Sequence, residues 1–239
     1  MPYRSTTTFR CGSASRDPAK PATVFACEAR SALLVYCPDP GIRRLPVDVI
    51  REALAGVAPH PPPQGPRQLA AIDAALRGLV DEVGDTFGFG GDALSLELVG
   101  DGLVYCASGN ARLHRLRGGR VNTLFGGDTA ARQALEAGAD PLSLSPQHEV
   151  FVVSSLGARC AGPAWRGPTP LDVEPGDRLL VTTFPSTAGL TTDDLERALA
   201  APDPERAARA VLARSARAAR SEQRSGWFAQ ALVVDLAAA

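Results

Sequence analysis

Arg206, Arg209, Arg214, Arg217, Arg220 and Arg224 recur at intervals close to multiples of about 3.6 residues, so a helix through them lines the guanidinium groups along one face. Such a stripe has the chemistry to hold carboxylates or phosphates, because each guanidinium presents a planar fork of donors. Val211, Leu212 and Ser215 fall roughly opposite. A solvated outer face accounts for the same pattern without a ligand. A docking stripe for an acidic partner or a phosphorylated segment is the functional alternative, and neither reading makes the chain an enzyme.

Other reactive side chains form no local constellation. His60, His114 and His148 lie in a proline turn, a strand and a loop, and none has a companion at metal-ligand spacing. GFGGDA, residues 88–93, has the letters of a dinucleotide fingerprint but follows a helix and opens a strand, the reverse of what phosphate binding requires. It reads as a turn. No nucleophile elbow or Walker loop occurs. A Ser-His-Asp hydrolase assembled from dispersed residues stays open, because triads are spatial and not sequential. LLVTTFPSTAGLTTDDL, residues 179–195, is a strand end, a loop and a helix start, a common support for reactive groups. It places Phe184 and Pro185 where such groups belong.

Stepping along the chain, residues 3–10 read as an edge strand, followed by a polar turn over 13–22. Two strands, 23–29 and 32–37, form a hairpin, and helical spacing covers 45–57. HPPPQGP, residues 60–66, separates that helix from a second one over 69–83 and reads as an inter-helix turn. A β-rich stretch follows, with strands at 94–98, 103–107, 112–116 and 121–125, then a short helix over 129–137 closed by Gly138. Strands are expected at 150–154, 178–183 and 231–236, and helices at 192–200 and 204–224. Thr191 to Asp194 has the form of a capping box. Antiparallel strands with one early and one late helix pair suggest two packed sheets with helices outside them.

Composition is that of an ordinary soluble globular chain of 239 residues and formal net charge −1. A charge so close to zero argues against nucleic acid or an anionic membrane as main partner. Lys20 is the sole lysine, so the arginine abundance reflects a GC-rich coding bias and is weak evidence for phosphate binding. Cys11, Cys27, Cys37, Cys106 and Cys160 are scattered and odd in number, suggesting neither a disulfide framework nor a zinc site. Cys37 and Cys106 sit in apolar runs, as buried small hydrophobes do. With no apolar run approaching the roughly 20 residues of a membrane span and no signal-peptide pattern, a reduced, cytoplasmic protein is expected.

Taken in order, four segments resemble the metal-dependent Ser/Thr protein phosphatases, the PPM or type-2C family. ALLVYCPDPG resembles the strand ending in D-G-M-G-G. DGLVYCASGNARLHRLRGGRV is similar to the hairpin around G-D-S-R. LDVEPGDRLLVTTFPSTAGLTTDDLERAL is similar to the P-G-D strand, S-D-G loop and following helix, and PERAARAVLARSARAARSEQRSGWFAQALVVDL to the final helix, R-D-N loop and last strand. The resemblance spans the chain in register. It implies an α+β, four-layer αββα sandwich of two antiparallel sheets flanked by helix pairs, as a single domain over 1–239.

The family holds two divalent cations, usually manganese or magnesium, through aspartates at strand ends and a glycine carbonyl. At the matching positions this chain has Pro38, with Asp39 displaced by one residue and Gly41 beyond it. The other matching positions hold Asn110, Phe184, Pro185 and Trp227. Arg16 matches the phosphate-binding arginine, but the acidic pair near it has become Lys20 and Pro21. Two hard cations at close range need several carboxylates to offset their repulsion. The resemblance therefore implies a pseudophosphatase without catalytic residues, metal or cofactor, acting through a protein partner such as a Ser/Thr kinase or a phosphoprotein. Arg16, Arg206, Arg209, Arg217 and Arg220 are the candidate partner-binding residues. Two alternatives stand beside it. One is an active phosphatase with manganese or magnesium on relocated ligands drawn from Asp39, Asp92, Asp101 and Asp128. The other is a structural subunit presenting an apolar patch around Phe184 and Trp227.

Overall fold

The computed structural model describes residues 7–15, 23–37, 46–58, 61–83, 90–100, 102–145, 152–158, 163–187, 189–221 and 229–238. Ten strands carry the fold: β1 (Thr7–Ser15), β2 (Thr23–Cys27), β3 (Ser31–Tyr36), β4 (Asp92–Val99), β5 (Gly102–Ser108), β6 (Ala111–Arg117), β7 (Arg120–Phe125), β8 (Arg166–Leu171), β9 (Arg178–Thr183) and β10 (Gln230–Ala238). The helices are α1 (Pro46–Ala55), α2 (Gly65–Val83), α3 (Ala130–Glu136), α4 (Phe184–Thr187), α5 (Thr192–Leu199) and α6 (Pro204–Ser221).

One sheet runs β1-β10-β9-β6-β7 and the other β2-β3-β4-β5-β8, with antiparallel pairing between neighbours. Alternation along the strands builds the layers. Leu94, Leu96 and Leu98 point between the sheets, where they meet Leu113, Leu179, Val181, Leu232 and Val234. The next residue over on a strand points outward: Leu33 and Val35 pack under α1 and α2 with Leu69, Ile72 and Leu76. On the other side Leu180, Ala231 and Val233 pack under α5 and α6 with Leu199, Ala208 and Val211. Strands buried on both faces explain the unbroken apolar runs at 32–35 and 179–181. Each fully buried leucine here contributes about 1.5–3 kcal/mol by leaving water. The architecture is the expected αββα sandwich.

Two close approaches depend on residue type. A Cβ at Gly12 would lie 2.1 Å from the backbone N of Glu205, so only glycine lets β1 run directly beneath the first turn of α6. Thr191 starts α5 as expected: its side chain accepts the Asp194 N–H, and the Asp194 carboxylate accepts the Thr191 N–H.

Several expectations need correction. Cys11 and Cys27 form a disulfide between β1 and β2. These are edge strands of different sheets, brought together where Phe9 N–H donates to Ala29 O; scattered spacing gives no hint of that juxtaposition. The reduced-thiol expectation therefore fails for this pair, while Cys37 and Cys106 are buried as expected. β1 extends to Ser15, through part of the expected turn, because it pairs along its whole length with β10. Of the strand expected over 150–154, residues 150 and 151 lie outside the described residues, and Val152 makes an isolated bridge to Thr129. β8 went unrecognised because Pro168 and Pro170 read as breakers; both are accommodated because β8 is an edge strand. Among the described residues no helix is long and apolar enough to cross a membrane.

Candidate functional site at the strand ends

Strand pairing brings Asn110 and the start of α4, two of the expected ligand positions, to one end of the sandwich. Tyr36, near the end of the ALLVYCPDPG segment, pairs with Asp92, and the neighbouring Ala93 pairs with Ser108. Gly109 and Asn110 then turn the chain from β5 into β6, whose Ala111 pairs with Thr183. Thr182 pairs with Ala231, so Gln230 arrives beside Thr183. Asn110, the start of α4 at Phe184 and Pro185, and the beginning of β10 therefore share one neighbourhood. Pro38, Asp39 and Gly41 follow β3, and Trp227 precedes β10; these four, with Arg16, lie outside the described residues. For Phe184 and Pro185 only the backbone is described.

Two carboxylates lie at this end among the described residues, Asp92 and Asp128, and Asp92 ties the hairpin together through one oxygen. Its Oδ1 accepts the Asn110 N–H at 2.9 Å. Burial pushes its pKa up to about 6, against the opposing effect of the Asn110 N–H. Gly109 makes the contact possible. With φ at +69°, it sits where a Cβ would fall 2.0 Å from Asp92 Oδ1. Burial and the adjacent Asp92 push the Tyr36 phenol up to about 12.

Across from Asp92, a neutral network fills the start of α4 and β10. Thr183 Oγ1 donates to Gln230 Oε1 at 2.9 Å and lies 3.0 Å from Ser186 Oγ. Gln230 N–H donates to Ser186 Oγ at 2.7 Å. All three side chains are buried, so hydroxyl and amide groups satisfy one another where charge would be costly. Sequence reasoning noticed only a hydroxyl-bearing loop here and missed Gln230 altogether, since nothing in its local pattern separates it from any other strand-initial polar residue.

Asp128 is close by through the backbone, its N–H donating to Gly109 O at 2.8 Å. Its carboxylate is committed elsewhere: it accepts the Ser154 hydroxyl and forms a 2.7 Å ion pair with Arg166. Asp128 is buried, so releasing it from Arg166 would leave an uncompensated charge.

These donors do not fit a pair of hard divalent cations. Such a pair needs several free carboxylate oxygens, whereas the described end offers Asp92, bonded through Oδ1, Asp128, held by Ser154 and Arg166, the amide of Asn110 and a neutral network. Among the described residues no cluster of three or more His, Cys, Asp or Glu side chains could hold a metal ion.

Neither a protein-family model nor a curated protein matches the chain. Solved structures do match. The Mycobacterium tuberculosis Ser/Thr phosphatase PstP superposes with a TM-score of 0.75 at 17% identity, covering 96% of this chain and 99% of PstP. The chain has the PPM phosphatase fold. PPM structures similar to it include the Mycobacterium smegmatis phosphatase MsPP in complex with cacodylate, with a TM-score of 0.71, 17% identity and coverage of 96% and 99%. PppA, a key regulatory component of T6SS in Pseudomonas aeruginosa, matches at 0.70 and 17% identity, with coverage of 96% and 99%. A structure of the PstP catalytic domain contains two manganese ions.

On this PPM scaffold the arginine stripe lies along α6, with Val211, Leu212 and Ser215 buried opposite it as expected. Arg206 and Arg209 are exposed and pair within their own helix start, with Asp203 at 3.2 Å and Glu205 at 2.7 Å. Arg217 is exposed near the other end of α6, and the Arg220 side chain lies outside the description. His114 is buried and its Nδ1 lies 3.0 Å from Thr123 Oγ1.

Proposed function

We propose that the chain is a PPM-fold pseudophosphatase that acts by binding a protein partner, a Ser/Thr kinase or a phosphoprotein being the class to try first. The observation that supports this most is the occupancy of the converging strand ends. Asn110 and Phe184 stand at positions where the resemblance places aspartates, the Thr183–Ser186–Gln230 network is neutral, and Asp92 is bonded to the Asn110 backbone. A metal-dependent phosphatase on relocated ligands needs Asp92 and Asp128 freed from Asn110 and Arg166, and Asp39 alone does not replace them. Binding, by contrast, needs only the scaffold and its surface. The kinase-signalling context comes from fold analogy.

The test is hydrolysis of p-nitrophenyl phosphate and of a phosphothreonine peptide with manganese or magnesium, beside an active PPM phosphatase. Turnover no faster than buffer is expected. Metal-dependent turnover lost on Asp39→Ala or Asp92→Ala would establish the relocated-ligand enzyme instead.

A further inference from the structure

We propose that the groove between α5 and α6 binds a phosphorylated Ser or Thr side chain of the partner, an inference that rests on the protein-binding reading above. The groove encloses about 480 Å³ and is lined by Leu190, Asp194, Arg197, Arg214, Arg217 and Ala218. Three guanidinium groups face a single carboxylate. That carboxylate is already held: Asp194 Oδ2 accepts from Thr191 N–H at 3.2 Å and from Thr191 Oγ1 at 2.8 Å, closing the helix cap. Its other oxygen is shared between Arg197 Nη2 at 3.3 Å and Arg214 Nε at 4.0 Å. Arg217 makes no ion pair with the described residues. The stripe along α6 is thus two different surfaces. Arg206 and Arg209 are neutralised by Asp203 and Glu205, and the uncompensated positive charge collects around Arg214 and Arg217.

Charge complementarity selects the occupant. A phosphomonoester carries close to two negative charges and three acceptor oxygens, enough to engage three guanidinium forks at once; a carboxylate offers one charge and two oxygens. Leu190 and Ala218 supply an apolar wall for the carbon stem of the phosphorylated residue. Leu190 N–H donates to Thr187 O, so the groove adjoins α4 and hence the strand ends, outside them on the helical layer.

The experiment is fluorescence anisotropy, in EDTA, with a labelled Gly-Ala-pThr-Ala-Gly peptide and its unphosphorylated counterpart. The phosphorylated peptide is expected to bind at least about tenfold tighter. Arg214→Gln/Arg217→Gln should remove that preference, as should Ala218→Glu, which puts a carboxylate into the groove. Arg206→Gln/Arg209→Gln removes the same charge from the same helix and should retain it. Absence of a phosphate preference, or equal losses in the two double variants, would overturn the proposal. Phosphate release from the same peptide after manganese addition is scored separately. Release would overturn the pseudophosphatase reading, while the anisotropy in EDTA decides the groove either way.

Discussion

The Asp92 carboxylate accepts the Asn110 backbone N–H at 2.9 Å, joining the start of β4 to the β5–β6 turn at the place where the strand ends converge. Its folded pKa, about 6, lies above the ordinary 3.8, so the folded state holds this proton more tightly than the unfolded chain. The penalty for ionising Asp92 therefore grows as pH rises through this interval and is complete above it. Asp92→Asn keeps the acceptor and removes the charge. It should stabilise the protein by about 1–3 kcal/mol at pH 8 and leave it unchanged near pH 4, as read by urea denaturation. Destabilisation at pH 8 would show that the carboxylate has a favourable partner.

His114 pulls the other way. Burial, helped by the Arg112 charge, lowers its pKa from 6.5 to about 4. The unfolded chain takes up this proton first on acidification, so stability is complete above pH 6.5 and is lost as pH falls toward 4. The loss is on the order of 3 kcal/mol. Because Asp92 has the opposite slope over much of this range, wild-type stability alone hides both. The difference between wild type and His114→Gln should shrink from pH 7 to pH 4; a difference independent of pH would contradict the burial argument.

The Cys11–Cys27 disulfide closes a span of 16 residues between the edge strands of the two sheets. Constraining the unfolded chain over a loop of this length is worth about 3 kcal/mol. Cys11→Ser/Cys27→Ser, or treatment with dithiothreitol, should lower the denaturation free energy by that order. Superimposable oxidised and reduced curves would show that the link adds nothing.

Asp177 anchors the P-G-D turn before β9. It is 2% exposed and meets Arg117 through two contacts of 2.8 Å, while its Oδ2 also accepts Glu174 N–H at 2.8 Å. Asp177→Ala should cost about 1–3 kcal/mol, since a buried turn N–H loses its acceptor while Arg117 keeps Glu174 and Asp172. Guanidinium denaturation checks this, and a loss below about 1 kcal/mol would place the pair among ordinary surface bridges.

Much of this fold is written in periodicity. The Leu94-Leu96-Leu98 alternation, the two-faced run of β9 and the Thr191–Asp194 cap are local signals, and each has its expected place. β8 was hidden because its prolines are tolerable only at an edge, which is a property of the assembled sheet. The same holds for the disulfide, whose partners meet only when the two sheets stack. At the strand ends, Asn110 and Phe184 stood out in the sequence because a reactive residue was expected there. Asp92's bond to Asn110, the Gln230 network and the Asp128–Arg166 pair were invisible, since each is made between segments far apart along the chain. The arginine stripe was legible as a stripe; its division into a neutralised half and a half with excess positive charge depends on where Asp203, Glu205 and Asp194 sit in space.

We propose that the strand ends do not hold a pair of divalent cations. Isothermal titration of manganese into the purified protein at pH 7.5, with an active PPM phosphatase as the positive control, tests this most directly. No saturable heat below about millimolar manganese is expected, because Asp92 bonded to Asn110 and Asp128 held by Arg166 leave too few free carboxylate oxygens among the described residues to offset the repulsion between two such ions. Saturable binding of two manganese ions per chain at micromolar concentration would contradict it.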